Sequence, residues 1–376
     1  MKILVTGSTG QLGKAIISQK PEGHQILFPK RNELDLSDIL SCKKYIEFNK
    51  PDIIINCGAY TNVDLAEKEK ELCYAINTSA PVTFAKILND YGGNLLQIST
   101  DYVFDGQKNY AYKENDERNT LFNAVFRLAK KVNPKVIIIE NVQGLLTLYK
   151  GKAKKDIINL CEELGYNCTP KLLYAPDFGV PQIRKRVFFV ALKKELGVFE
   201  FPKPTHLPND YVGCKNAIGD LPDLDKSYGA EEMKYDKKAA SYYQKMMREG
   251  SNVIKNHIGT KHTKHVVDVI SQVPEGGNHK DLPPGVGDSR KFNEAWTRYD
   301  SKKPSKTIDT GHRNHFHYKW NRVPTVRENA RLQSFPDKFI FSGTKTQQYR
   351  QVGNAVPPLL GKILGTQLLN YLLDED

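Results

Sequence analysis

Two groups of residues in this chain have types and spacings suited to chemistry. In KVIIIENV, Glu140 ends an apolar run, and in GVPQIRKRVFFV the residues Gln182, Arg184 and Arg186 fall at alternate positions leading into a strand. Alternation puts all three on one face, and two guanidiniums with an amide suit an anionic or planar, hydrogen-bonding ligand. Taken alone, a solvated basic edge has the same pattern. A carboxylate directly after a buried run must find a partner, as a helix cap, an ion pair or a ligand-facing group. At the carboxyl end of a strand in an open α/β sheet it faces the ligand crevice. The second group is Gly7, Gly10 and Gly13 in VTGSTGQLG, a spacing that lets a turn be tight and a pyrophosphate approach the backbone at a helix start. The six cysteines stand in SCK, NCG, LCY, LCE, NCT and GCK, with no CxxC pair. That usage predicts reduced thiols in a cytoplasmic protein and no metal site.

The elements that must position these residues are legible in outline. KILVTGSTGQLGKAI reads as strand, turn and helix, and HQILFP, PDIIINCGAYTNVD and GGNLLQISTDYVFDG continue a βαβ series. RNTLFNAVFRLAKK reads as an amphipathic helix ahead of the strand that ends at Glu140. Further on, VPTVRENARLQSFPD predicts a helix bearing Arg327, Glu328 and Arg331, and VGNAVPP predicts a tight turn with prolines opening a last apolar helix. The 376 residues exceed one ordinary domain, and 39% hydrophobic with 26% charged residues is a globular composition. No run approaches the roughly 18 apolar residues that a membrane span needs. The net charge of +12 is not spread evenly. Residues 1–113 hold 13 basic and 13 acidic residues, so 114–376 carry the whole excess, the footprint of a polyanion partner or of a merely Lys-rich surface.

Two resemblances follow. Through VTGSTGQLG, RNELDLSD, PDIIINCGAYTNVDLAE, AINTSAP and ISTDYVFDG, residues 1–113 resemble the N-terminal half of a dTDP-4-dehydrorhamnose reductase, an extended short-chain dehydrogenase. The resemblance implies an NADP(H) site at Gly7, Gly10, Gln11, Leu12 and Gly13, with Asp35 and Leu36 near the adenine and Ala59 and Tyr60 near the nicotinamide. It also implies that Thr100 helps polarise a substrate carbonyl. The Tyr-x-x-x-Lys pair of that family does not follow Thr100; Tyr211–Lys215 has the spacing in an unrelated setting.

Through DERNTLF, ENVQGLL, GVPQIRKR, RVPTVRENARLQSFPD and VGNAVPP, residues 118–376 resemble the C-terminal two-thirds of a DNA (cytosine-5)-methyltransferase. This implies that Glu140 hydrogen-bonds and protonates cytosine N3, that Arg184 and Arg186 hold the base, and that Asn354 with Val356 borders the S-adenosylmethionine pocket. Glu328 and Arg331 are implied to be structural. The partner implied is double-stranded DNA, read by a target-recognition region. The family's Phe-x-Gly-x-Gly loop is missing, and none of the six cysteines follows a proline, so the Pro-Cys nucleophile is missing as well.

Together these readings predict an α/β fold, a doubly wound, mostly parallel Rossmann-like sheet of composite origin with a smaller inserted DNA-recognition lobe. The segments expected are 1–117 (dinucleotide-binding half), 118–195 (second half of the methyltransferase sheet), 196–305 (target recognition) and 306–376 (motifs packing back on the sheet). The favoured function is a restriction-modification-type methyltransferase relative that is defective in turnover, or served by a partner chain supplying the missing front half. The alternatives are an NAD(P)H-binding reductase relative and a non-catalytic DNA-binding protein modulated by a dinucleotide.

Overall fold

The computed structural model describes residues 1–18, 23–66, 68–98, 122–224, 227–286, 295–311 and 314–372. They form two compact units. The first comprises Met1–Ile139, Gly144–Thr169 and Phe189–Phe199; the second comprises Glu140–Gln143, Pro170–Phe188 and Glu200–Asp376.

In the first unit, β1 (Lys2–Thr6) leads through the glycine turn into α1 (Gln11–Ser18), followed by β2 (Gln25–Leu27) and α2 (Ile39–Asn49). The chain continues through β3 (Ile53–Asn56), α3 (Val63–Ala66), α4 (Lys70–Tyr74), α5 (Ala80–Tyr91) and β4 (Asn94–Gln97). The strands pair in parallel in the order β2-β1-β3-β4, with Ile3 opposite Ile53 and Ile53 opposite Asn94. Local chemistry sets the helix ends. The Asp38 carboxylate caps α2 by accepting from the Ser41 amide at 3.0 Å, and α5 stops at Gly92, whose φ of +81° a side chain would disfavour. The apolar faces of α2 and α5 close over the sheet in a core of Leu4, Cys42, Ile46, Ile54, Phe84 and Leu88.

The residues beyond the reductase-like stretch join this unit. Helix α6 (Phe122–Val132) packs on α5, and Lys131 Nζ donates to the Tyr74 hydroxyl at 2.7 Å. Then come β5 (Val136–Val142), α7 (Lys152–Glu163), β6 (Tyr166–Tyr174) and β7 (Lys185–Lys193), the strands in the order β5-β7-β6. Each of these three strands runs from one unit into the other. The α/β, largely parallel architecture is the one predicted. Among the described residues these seven strands fall in two ladders, β2-β1-β3-β4 and β5-β7-β6.

The second unit adds α8 (Cys214–Ile218), β8 (Glu232–Lys234), α9 (Tyr242–Arg248), β9 (Val253–Lys255), antiparallel to β8, and α10 (Lys264–Gln272). Beyond these lie β10 (Thr297–Arg298), β11 (His315–Phe316), α11 (Val326–Leu332), α12 (Lys345–Asn354) and α13 (Pro358–Leu369). Its core mixes Cys214, Ile218, Tyr243, Met247 and Ile254 with Ile308, Val326, Leu332, Tyr349 and Val352. Residues 200–305 and 306–376 lie in the same compact unit. No described helix is long and apolar enough to cross a membrane.

Candidate functional site

Glu140 on β5 and Arg186 on β7 meet, Arg186 Nε standing 2.9 Å from Glu140 Oε1 with both side chains partly open. A second nitrogen of Arg186 donates to the Lys185 carbonyl at 2.8 Å. Burial lowers the Arg186 pKa, and the adjoining carboxylate opposes that shift. Such a pair offers an anionic acceptor and a planar donor side by side, which suits a ligand carrying both a donor and an acceptor edge.

Arg184, two residues earlier, has a different environment. Its side chain is buried, with Nη1 donating to the Ile308 carbonyl at 3.1 Å and Nη2 to the Gly353 carbonyl at 2.7 Å, while Nε has no partner. Burial, helped by the neighbouring charge of Arg186, lowers its pKa to about 9 against the pull of Glu140. Arg184 thus ties β7 to the turn that carries Asn354 and Val356. Gly353 is pressed against the backbone of Asp309 and Thr310; an added Cβ would lie 2.2 Å from the Asp309 carbonyl oxygen. Asn354 ends α12 with its side chain exposed, and Val356 is half-buried.

Gln182 is fully buried, accepting the Ile308 amide at 3.0 Å and donating to the side-chain oxygen of Gln333. Gln333 in turn donates to the Ala355 carbonyl at 2.5 Å. Gln333 escaped the sequence reading, although LQS directly follows the charged helix and an amide there has nowhere apolar to sit. The helix itself is a buried ionic frame. Arg331 donates to Asp337 at 2.8 and 2.6 Å and to Asp220 at 2.6 Å. Glu328 accepts from Arg322 at 2.7 and 2.6 Å while closing a capping box with Thr325.

In the other unit, the glycine turn is tight for a stated reason. Gly7 has φ +62°, and a Cβ on it would strike the Cys57–Gly58 backbone at 2.7 Å, while a Cβ on Gly13 would strike the Gly7 carbonyl at 2.4 Å. Gly10 donates back to the Gly7 carbonyl at 2.9 Å. Gln11 opens α1 and Leu12 is exposed. Burial would raise the Asp35 pKa, but hydrogen bonds from the Ser37 amide and hydroxyl and from Arg31 outweigh it and hold the carboxylate below its usual range. Leu36 packs on the α2–α5 core. Ala59 follows β3, and Tyr60 is fixed by its amide to Asn77 at 2.8 Å and its hydroxyl to Glu69 at 2.6 Å. Thr100 lies outside the described residues.

The unit that holds Glu140, Arg184 and Arg186 contains one cysteine, Cys214, which is fully buried in the core. Burial, with Asp300 adding to it, pushes its pKa far up, so it stays a thiol.

Comparison with known proteins sets these sites in context. A family model described as C-5 cytosine-specific DNA methylase matches residues 107–370, and one described as RmlD substrate binding domain matches residues 1–122. The type II methyltransferase M1.HphI of Haemophilus parahaemolyticus is 38% identical over 265 residues, which cover 69% of this chain and 63% of that protein. The chain therefore spans less than two-thirds of this relative's length. Among solved structures, a protein described as a DNA modification methyltransferase, encoded within an E. coli prophage, matches 99% of both chains at 21% identity and a TM-score of 0.59, a likeness of fold. A dTDP-4-dehydrorhamnose reductase from Bacillus anthracis, solved with NADP, is 38% identical over 31% of this chain and 41% of its own, with a TM-score of 0.26. Both resemblances drawn from the sequence are found, the reductase-like one at the start and the methyltransferase one over most of the length. The chain belongs to the C-5 cytosine-specific DNA methylase family.

Proposed function

We propose that this protein binds duplex DNA and holds a cytosine with Glu140 and Arg186, but does not complete methyl transfer by itself. The observation that carries the reading is the Glu140–Arg186 pair at 2.9 Å in a unit whose single cysteine, Cys214, is sealed in the core. A cytosine ring offers N3 and O2 on one edge. Both atoms accept, so a carboxyl group that carries a proton to N3 and a guanidinium that donates to O2 are the complement of that edge. Cytosine C5 becomes nucleophilic only after a thiolate has added at C6, and loss of a covalent nucleophile costs on the order of 10⁶ in kcat in a protease example. Acid–base groups contribute about 10²–10⁴, so Glu140 does not offset that loss. The residues implied for S-adenosylmethionine, Asn354 and Val356, are one exposed and one half-buried residue on a turn. Without the glycine loop they do not make a site for that group, and no step is drawn through it. The basic excess over 114–376 supports a DNA backbone contact.

The test uses the full chain and two duplexes that differ only in carrying an unpaired cytosine or thymine. Wild type is expected to prefer the cytosine duplex, and Glu140→Ala, which removes the group facing the N3 edge where the two bases differ, to lose about tenfold of that preference. Equal affinity of wild type for both would end the reading. Incubation with labelled S-adenosylmethionine is expected to transfer no methyl group, and transfer to cytosine would overturn the inactive assignment.

The glycine turn supports a second, separate proposal, that the first unit holds NADP(H) by its pyrophosphate at Gly7, Gly10 and Gly13. The cofactor would supply a hydride, but the Tyr-x-x-x-Lys pair that would serve that chemistry does not follow Thr100. Binding without turnover is therefore expected. Gly10→Val should abolish NADPH binding measured by nucleotide fluorescence, and unchanged affinity would remove the dinucleotide.

A further inference from the structure

We propose that Gln333 is a positioning residue, one that sets the turn Gly353–Ala355 against β7 and so holds the Arg184–Arg186 strand in register; its role in cytosine binding rests on the proposed function above. Gln333 follows the last residue of α11 and is fully buried. Its side-chain oxygen accepts from Gln182, and its side-chain nitrogen donates to the Ala355 carbonyl at 2.5 Å. The Gln182 oxygen carries the chain one step further by accepting from the Ile308 amide at 3.0 Å. Arg184 spans the same gap in parallel, from the Ile308 carbonyl to the Gly353 carbonyl. Four segments far apart in sequence therefore meet through two amides and one guanidinium. They are the approach to β7, residue 308, the end of α11 and the C-terminal end of α12 with Ala355 after it.

The two carbonyls of the turn, at 353 and 355, are each held by one side chain, and Gly353 admits no Cβ against Asp309. The turn can shift only if those bonds break. A primary amide accepts at one atom and donates at the other without carrying charge. Methionine has a similar length and does neither. An ionised glutamate accepts from Gln182 but repels the Ala355 carbonyl, whereas a protonated glutamic acid reproduces both bonds. Burial raises the pKa of such a carboxyl, so Gln333→Glu should work when acidified and fail when it ionises.

Hydrogen exchange on the full chain tests this, read as protection factors so that the intrinsic effect of pH is removed. In Gln333→Met, amides between residues 352 and 357 should lose at least about tenfold protection, while β1, β3 and α9 keep theirs. In Gln333→Glu the same amides should be protected near pH 6 and exposed near pH 8, a dependence that wild type and Gln333→Met lack. Unchanged protection of the turn in Gln333→Met, or an even loss across the unit, would overturn the assignment, as would a pH-insensitive Gln333→Glu. The cytosine-over-thymine preference of Gln333→Met is measured alongside and should fall with the turn's protection. A wild type without that preference counts against the proposed function alone, and the exchange pattern still decides Gln333.

Discussion

At the scale of single residues, Arg184 and Arg186 show how neighbours of one type divide two tasks. Alternation along β7 puts both on one face, yet one is consumed by carbonyls at 308 and 353 and the other meets a carboxylate at a partly open edge. Their alanine variants should separate accordingly. Arg184→Ala leaves two buried carbonyls without donors, each costing about 1–3 kcal/mol, and should lower the urea midpoint of the second unit while reducing cytosine and thymine duplex binding alike. Arg186→Ala removes a partly buried group at a partly open edge and should lower the midpoint less than Arg184→Ala does, while weakening binding of both duplexes through the O2 that cytosine and thymine share. Both tryptophans, Trp296 and Trp320, lie in that unit, so intrinsic fluorescence reports its unfolding directly. An equal fall of the urea midpoint in both variants would show that the two arginines share one role. Only the resemblance brought Glu140 and Arg186 to one base; alternation in the sequence put Gln182, Arg184 and Arg186 on one face and said nothing of Glu140. It did not separate Arg184 from Arg186, because the carbonyls that claim Arg184 come from segments more than a hundred positions away.

At the scale of elements, α11 is unusual in that every residue from Val326 to Leu332 is buried, two arginines and a glutamate among them. Buried charges are tolerated when each is paired, and removing one partner costs about 3–5 kcal/mol. Arg331→Ala should therefore destabilise the unit by roughly that amount, since Asp220 and Asp337 would both lose a partner, and a loss below about 1 kcal/mol in a urea titration would contradict the frame described. The same helix imposes a pH dependence. His317 is buried and its Nδ1 accepts from the amides of Lys319 and Trp320 at 3.0 and 3.1 Å. Burial lowers its pKa to about 3, although Glu328 pulls the other way; Arg322, His257 and Arg298 add to the lowering. The unfolded chain takes up that proton near pH 6.5, so between about 6.5 and about 3 the unfolded state binds more protons and stability falls as pH drops, by at most about 1.4 kcal/mol per pH unit for this group. His257, also lowered by burial, acts in the same direction. The Glu328 carboxyl, held well below its usual range by Arg322 and His317 despite burial, extends the loss to still lower pH. Tryptophan-detected urea midpoints at pH 7.5 and pH 5 should differ, and His317→Gln, which keeps an acceptor for the two amides without titrating, should flatten the curve. The charged helix was legible as a helix in VPTVRENARL, through its Thr-x-x-Glu start. Its complete burial was not legible, because nothing local distinguishes an ionic frame from a solvated face.

At the scale of the whole molecule, the join between the two resemblances does not coincide with the boundary between compact units. The first unit takes in residues 1–139 and parts of the later strands, so the reductase-like stretch shares its packing with α6 and α7. Composition at the join marks a change of family, but packing follows apolar faces, and α6 presents a strongly amphipathic one beside α5. Phe126 and Ala129 on α6 are buried, and burying a phenylalanine side chain contributes about 1.5–3 kcal/mol. Cutting the backbone between residues 98 and 122 should therefore leave two pieces that travel together on a sizing column. A cut chain carrying Phe126→Asp should separate, because the carboxylate would have to be buried without a partner or expose the α5–α6 contact. If the unaltered pieces part as soon as the chain is cut, the first unit is two independent bodies, and the methyltransferase-like portion gains nothing from the reductase-like one. If they stay together, the reductase-like stretch and α6 form one folded body, and the chain after residue 122 relies on that stretch to cover the apolar face of α6.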